Sequence, residues 1–363
     1  YIYDGKEKKP DVTVKYGYAT LQQGTDYTVE YSNNVKAGTA TVTIKGTGIY
    51  SGTVSKNFEI KEALYTVYGY QVVINGNFDL KYYIDLSKEA ANDTDAYIEF
   101  KVGDRIQKVK QRETSNGHYV YTCEVPVAQI GDKVTATLYY KDKSYALTQY
   151  SVKDYLNTIV QNKDKKEEYG KAADIASAIL NYGARAQLYF GYKTDSLVNS
   201  ALSDAEIKKV DSILAQDIKN AITNKESGVL ENNDFKYYGA SLVCKSDTGM
   251  KLYFENKNSL SLKEIEKKYD ISVKDCKKQV SKSINGNMIC ITINDLNATE
   301  LDDNFVVQIT NKQNSSQSMS VSTSPYIYIK KSMDSGDEKL INLSKAMYWY
   351  SQKAMEYSMT ENR

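Results

Sequence analysis

At 363 residues, with 41% hydrophobic and 26% charged side chains, the chain has the composition of a soluble globular protein and a length that predicts two or three domains. Forty-seven basic against 46 acidic residues leave a formal charge of +1, which argues against a nucleic-acid partner or an anionic membrane surface. No apolar run approaches the roughly 18 residues of a membrane-spanning helix.

Residues 1–61 alternate apolar and polar side chains through DVTVKYG, DYTVEYS, TATVTIKG and TVSKNFEIK, with Gly24, Gly38, Gly46, Gly48 and Gly52 marking turns. Period-two alternation with this punctuation predicts a small β-sandwich or half-sandwich. The stretch LQQGTDYTVEYSNNVKAGTATVTIKGTG resembles the immunoglobulin-like repeats of Gram-positive cell-surface proteins. That resemblance implies a spacer module on a secreted or cell-surface protein, with no active site of its own.

Lys61 to Leu64 joins this unit to a second one. Residues 65–150 hold strand patterns near TVYGYQVVI, FDLKYYIDL, AYIEFKV, HYVYTCEV, KVTATLYY and SYALTQY, which predict another sandwich. After Tyr150 the period becomes helical. One helix begins with Val152, Tyr155, Leu156 and Ile159, and a second spans Ala172 to Phe190 and stops at Gly191. Ser203 and Glu206 form a capping-box signature for a third, with Ile207, Val210, Ile213, Leu214 and Ile218 on one face. This first lobe covers 65–222, the sandwich 65–150 and the helices 151–222. Residues 222–234 read as a polar linker, and 235–330 as a second sandwich. Within the latter, Leu262 to Asp275 has helical spacing and 311–320 reads as a polar hairpin or loop. Residues 338–359 close the second lobe (235–359) as a helix whose Leu340, Leu343, Met347, Tyr350, Ala354 and Tyr357 form a core-facing stripe.

The two lobes echo each other. Ala178–Phe190 aligns with Ala346–Ser358 at an offset of 168, matching Tyr182 to Tyr350, Ala186 to Ala354 and Tyr189 to Tyr357. Tyr68-Gly69 matches Tyr238-Gly239 at 170, and Asp132 matches Asp303 at 171. A common order at near-constant offset predicts duplication. The expected fold class is therefore mixed β plus α: an immunoglobulin-like sandwich, then two related lobes, each a β-sandwich followed by helix.

Catalytic and metal signatures are missing from the sequence. The single histidine, His118, follows the Asn116-Gly117 turn signal and reads as a turn residue. There is no GxSxG, P-loop, GxGxxG or HExxH, and Cys123, Cys244, Cys276 and Cys290 lack CxxC spacing. Buried free thiols are expected, with a Cys244–Cys290 bridge as the alternative. Asn92–Asp95 and Asp302–Asn304 read as turns, lacking the glycine and terminal glutamate of an EF-hand loop. The expectation is no enzyme, no metal and no cofactor.

Thirty-three tyrosines against seven phenylalanines favour surfaces that are half wet, although strand propensity also selects tyrosine. Two readings follow: aromatic platforms for sugar rings, or a protein-interaction and spacer role without a glycan ligand. The segment KAADIASAILNYGARAQLYFGYKTD and the closing helix INLSKAMYWYSQKAMEY resemble modules of large secreted proteins of gut Gram-positive anaerobes. With the duplication, they are similar to the two-lobed second domain of amylosome starch adherence system proteins. The resemblance implies that starch or maltooligosaccharides bind in a groove between the lobes, with scaffold proteins engaged through modules outside this chain.

Trp349 heads the candidate ligand residues, because it lies off the apolar stripe among Asn342, Lys345, Lys353 and Glu356 and replaces Asn181 of the first copy. If another lobe covers that face, Trp349 is core instead. Tyr348 and Gln352 adjoin it, Tyr192 follows the Gly191 stop, and Tyr189, Tyr237 and Tyr238 complete the set; Tyr189 and Tyr238 recur in the other copy as Tyr357 and Tyr68.

Overall fold

A computed structural model describes residues 1–75, 77–110, 113–243 and 248–361. Among them, 21 strands in antiparallel sheets and eight α-helices make a β-rich mixed fold. None of the helices is long and apolar enough to cross a membrane.

The chain opens with a two-residue ribbon, β1 (Lys15–Tyr16) and β2 (Ala19–Thr20), and a three-stranded sheet of β3 (Tyr27–Ser32), β4 (Gly38–Gly46) and β5 (Thr53–Ile60). DVTVKYG thus yields only the end of a strand. Tyr27, Ala40, Val42 and Ile60 are buried in this sheet. The N-terminal segment packs and bonds against it. The Tyr1 ring lies 5.6 Å from Phe58, the Tyr31 hydroxyl donates to Pro10 O at 2.5 Å, and Asn34 Nδ2 donates to Lys8 O at 3.1 Å.

Next come β6 (Tyr65–Asn75), β7 (Asn77–Leu86), α1 (Lys88–Asn92), β8 (Tyr97–Val102), β9 (Arg105–Val109), β10 (Glu113–Ser115), β11 (His118–Val125), β12 (Thr135–Tyr140) and β13 (Lys143–Ala146). They form two four-stranded sheets, ordered β10-β11-β7-β6 and β13-β12-β8-β9. Tyr82 and Phe100, one from each sheet and both fully buried, meet at 5.2 Å. The β10–β11 hairpin pairs Ser115 with His118, so Asn116 and Gly117, both at positive φ, form the two-residue turn their sequence predicts.

Helices α2 (Val152–Gln161), α3 (Glu167–Phe190), α4 (Asp204–Asp211) and α5 (Ala215–Ala221) follow. α3 ends at Gly191 in the left-handed region at φ 67°, as predicted. The expected third helix divides into α4 and α5 at an extended Leu214; Val210 and Ile218 stay buried on either side, while Leu214 itself is exposed.

The remaining elements are β14 (Ser227–Val229), β15 (Phe235–Val243), β16 (Gly249–Asn256), α6 (Leu262–Lys268), β17 (Tyr269–Lys274), β18 (Val280–Asn285), β19 (Met288–Ile293), β20 (Phe305–Asn311), β21 (Met319–Thr323), α7 (Pro325–Ser332) and α8 (Glu338–Glu361). Three expectations change here. The polar linker contributes β14, which pairs with β21. Leu262–Asp275 is a short Ser261-capped helix running into a strand. PYIYIKKS is helical, because Ser324 caps it and Pro325 occupies its first turn.

The second pair of sheets is ordered β18-β19-β16-β15 and β14-β21-β20-β17. Taken in chain order, the first of these matches β10-β11-β7-β6 strand for strand, and β21-β20-β17 matches β13-β12-β8. Only the outer strands β9 and β14 differ. The β6–β7 register slips between Val67 and Gly69, and the β15–β16 register slips at the equivalent place, between Tyr237 and Gly239.

α3 and α8 pack against each other at the centre. Tyr182 and Tyr350, both buried, stack at 5.7 Å with an interplanar angle of 18°. Phe78 touches both rings, at 6.3 and 5.8 Å. Gly183 admits Ile130 and Val198 to the neighbouring turn, since a Cβ there would lie 2.4 Å from Ile130 Cδ1.

Tyr350→Ala is expected to cost about 3–5 kcal/mol in urea unfolding, the range for deleting a large core aromatic. A second prediction concerns acid. Burial raises the Asp154 pKa, but hydrogen bonds from Lys133 and Ser151 outweigh it and hold the carboxyl below its ordinary 3.8. A carboxylate lowered in the fold stabilises it above the ordinary carboxylate range and loses that contribution as pH falls through the lowered value. Asp154→Asn should therefore flatten the stability–pH curve at its acid end, and an unchanged slope would count against this pairing.

Candidate binding clefts between the two halves

Two clefts open where the halves meet, one beside the first half of α3 and the end of α8, the other beside the end of α3 and the start of α8. The larger, of about 400 Å³, is lined by β6, α2, α3, the turn at Asn297–Thr299 and the C-terminal part of α8. Val72, Leu156, Ile159, Ile175, Ile179 and Ala354 supply an apolar floor. Tyr155, one turn into α2, and Tyr357, near the end of α8, are half-buried at its walls. Gln71, Asn297, Thr299 and Ser358 bring polar groups, and none of the described lining residues is charged. Around Tyr155 the tyrosines continue: Tyr70 stacks on Tyr150 at 4.2 Å, and the Tyr83 hydroxyl donates to Gln71 Oε1 at 2.6 Å.

The smaller cleft, of about 270 Å³, is lined by Tyr189 and Phe190 at the end of α3, by Ser241, Leu242 and Val243 of β15, by Lys251 and Tyr253 of β16, by Tyr328 of α7 and by the first turns of α8. Lys251 is its one charged described lining residue.

The residues singled out from sequence do not converge on one place. Tyr189 lines the smaller cleft, half-buried and edge-on to Phe190 at 5.0 Å. Tyr348 and Gln352 both turn to the buried Tyr326, the first through ring contact at 5.3 Å and the second by donating to its hydroxyl at 2.7 Å. Burial raises the Tyr326 pKa to about 12, against the smaller effect of hydrogen bonds from Ser351 and Gln352. Tyr192 does not project freely: its hydroxyl donates to Asp132 Oδ2 at 2.5 Å, while Lys193 Nζ sits 2.7 Å from the other oxygen of this buried carboxylate. Tyr237 is buried, with its hydroxyl 2.9 Å from Glu226 Oε1, so it is core and not a ligand contact. Tyr238 is exposed, with Lys236 Nζ 5.8 Å from its ring centroid, and lines neither cleft.

Trp349 is half-buried and packed against the hydrophobic core, with the Lys353 ammonium 4.6 Å from the ring centroid. Its face of α8 is drier than its sequence suggests, since Asn342, Lys345 and Lys353 are half-buried too and only Glu356 is exposed. At the aligned position of α3, Asn181 is buried and donates to Glu206 O at 3.1 Å, which ties α3 to α4. α4 and α5 also pack against α8.

Of the lining residues only Tyr189 is a candidate from sequence; Tyr357 reads there as core, and the tyrosines missed outright include Tyr155 and Tyr328. The signal available for both was a tyrosine four residues after a serine N-cap, Ser151 and Ser324, that follows the last strand of each sheet pair.

Other chemistry is sparse. His118 stacks on Tyr68 at 3.9 Å and its Nδ1 lies 2.6 Å from Asp85 Oδ1, a surface cluster without a nucleophile. Cys123, Cys276 and Cys290 are free thiols, and Cys244 lies outside the described residues. Burial pushes the Cys123 thiol up to about 12, which keeps it protonated. Among the described residues no three His, Cys, Asp or Glu side chains gather as a metal site. No protein-family model matches the chain, and no curated protein matches it.

Proposed function

We propose that the chain is a non-catalytic carbohydrate-binding protein that holds neutral glucan chains, of the starch or maltooligosaccharide class, in the larger cleft. The observation that carries this reading is the lining itself: two tyrosines over an apolar floor, a rim of amides and hydroxyls, and no charge among the described lining residues. A pyranose presents apolar CH faces and a belt of hydroxyls. Aromatic and aliphatic walls take the first and neutral polar groups the second, and an uncharged lining favours an uncharged ligand. Residues 1–61 are read as an immunoglobulin-like spacer, and 65–222 and 235–359 as duplicated sandwich-plus-helix lobes; the matching strand orders and register slips support the duplication. The sequence resemblance implies a secreted or cell-surface location on a Gram-positive bacterium. The alternative is a spacer or protein-interaction module without a glycan ligand.

Native electrophoresis in gels containing amylopectin should retard the protein, and maltoheptaose titration should give heat. Tyr155→Ala and Tyr357→Ala should each weaken binding about tenfold, or ~1.4 kcal/mol, with affinity nearly independent of salt because no ion pair contributes. Unretarded migration with no heat would favour the alternative, and release of reducing sugar in proportion to protein would establish an enzyme instead. Trp349→Ala should lower the melting temperature while the folded variant keeps its glucan affinity; a tenfold loss with unchanged melting would restore the tryptophan as a ligand contact.

A further inference from the structure

We infer that the smaller cleft is a second, weaker site for the same class of neutral glycan, so that one chain holds two glucan strands toward opposite ends of the α3–α8 pair. This rests on the reading of the larger cleft as a glucan site and adds a ligand position to it.

The argument is a residue-by-residue correspondence between the two linings. Ala172, Ile175, Ala176 and Ile179 of α3 face the larger cleft, and Leu340, Leu343, Ser344 and Met347 of α8 face the smaller, each 168 positions later. Gln71, Val72 and Val73 of β6 correspond to Ser241, Leu242 and Val243 of β15, each 170 later. The far wall is exchanged between the halves. Tyr357 of α8 completes the cleft on the first half's sheet, and Tyr189 of α3 completes the one on the second half's sheet.

The opposing tyrosine recurs as well. Tyr155 stands four residues after the Ser151 cap, and Tyr328 stands four after the Ser324 cap. Even the polar rim is retained: Tyr83 bonds Gln71 beside one cleft, and the Tyr253 hydroxyl lies 3.0 Å from Ser241 Oγ beside the other. Each cleft therefore offers two tyrosines, an apolar floor and a tyrosine-anchored polar rim. A shared core alone would require the floor positions to stay apolar. It would not require a half-buried tyrosine at both walls.

The differences set the rank order. The smaller cleft lacks a counterpart to Asn297 and Thr299 in its lining, substitutes the larger Leu340 for Ala172, and carries one charged residue, Lys251. Its volume of about 270 Å³ against about 400 Å³ covers fewer sugar rings. Two sites on one chain let it bridge neighbouring branches of a glucan, which raises avidity without new contacts.

The test is maltoheptaose calorimetry on the whole chain, paired with turbidity of amylopectin mixtures. Wild type should bind two ligands and cross-link amylopectin into a turbid suspension. Tyr155→Ala should weaken only the stronger site, by about tenfold, Tyr328→Ala should weaken only the other, and each should lower the turbidity. Phe190→Ala, at the more exposed edge of the smaller cleft, is the second variant if Tyr328→Ala fails to fold, and should weaken only the weaker site. A wild-type stoichiometry of one, with Tyr328→Ala and Phe190→Ala binding as wild type and Tyr155→Ala about tenfold weaker, would overturn the second site and leave the larger cleft standing. Loss of all binding in Tyr328→Ala with Tyr155→Ala unaffected would instead overturn the larger cleft. Silence from wild type would overturn both.

Discussion

The stack of Tyr182 on Tyr350 is the contact on which the arrangement of the two halves depends. Each ring sits midway along a long helix, buried and flat against its counterpart, with Phe78 sealing the edge. Buried alanines near the stack, Ala186, Ala346 and Ala354, keep the side chains there small, and the Gly183 side of α3 is filled by Ile130 and Val198. Once the helices cross there, their ends are committed. The end of α8 reaches the sheet of the first half, and the end of α3 reaches the sheet of the second. Both clefts are consequences of that crossing.

Tyrosine abundance had a divided use. Many of the rings are structural, and burial raises the pKa of Tyr82, Tyr237, Tyr326 and Tyr350 well above that of free phenol. Several of the buried hydroxyls have partners: Tyr82 donates to Val134 O, Tyr237 meets Glu226, and Tyr326 meets Ser351 and Gln352. Others, such as Tyr155, Tyr189, Tyr328 and Tyr357, remain half-buried with a face toward a cleft. Composition alone counts the two groups together, because the same side chain suits a core edge and a wet groove.

The helical connector between the halves belongs to both. Asn181 bonds the backbone at Glu206, Asn199 donates to Asn181, and Gln187 holds Val198 N and Ser196 O, so residues 196–206 are fastened to α3 by buried amides. At the aligned position α8 carries Trp349, packed against the core. The asymmetry that draws attention to this tryptophan in the sequence is thus accounted for by what the two helices must each hold.

Sequence by itself determined most of the elements and pointed to the order they share. Period-two runs located most of the strands, and the Ser203–Glu206 capping box and Gly191 marked helix ends, because each of these is a local constraint on backbone and burial; the 168–171 offset pointed to the matching order of the halves. Legibility failed where local preference was overridden: PYIYIKKS reads as strand until Ser324 and Pro325 start a helix, and residues 262–274 change from helix to strand within one segment. The clefts were decided by tertiary structure alone. Their walls come from four or more elements, as far apart in the chain as Gln71 and Ser358, and the pairing of Tyr155 with Tyr357, or Tyr328 with Tyr189, exists only once α3 and α8 have packed together. Trp349 shows the same limit in reverse. Helical spacing assigns it a polar face, but which neighbour covers that face is a matter of packing between distant segments, and no periodicity encodes it.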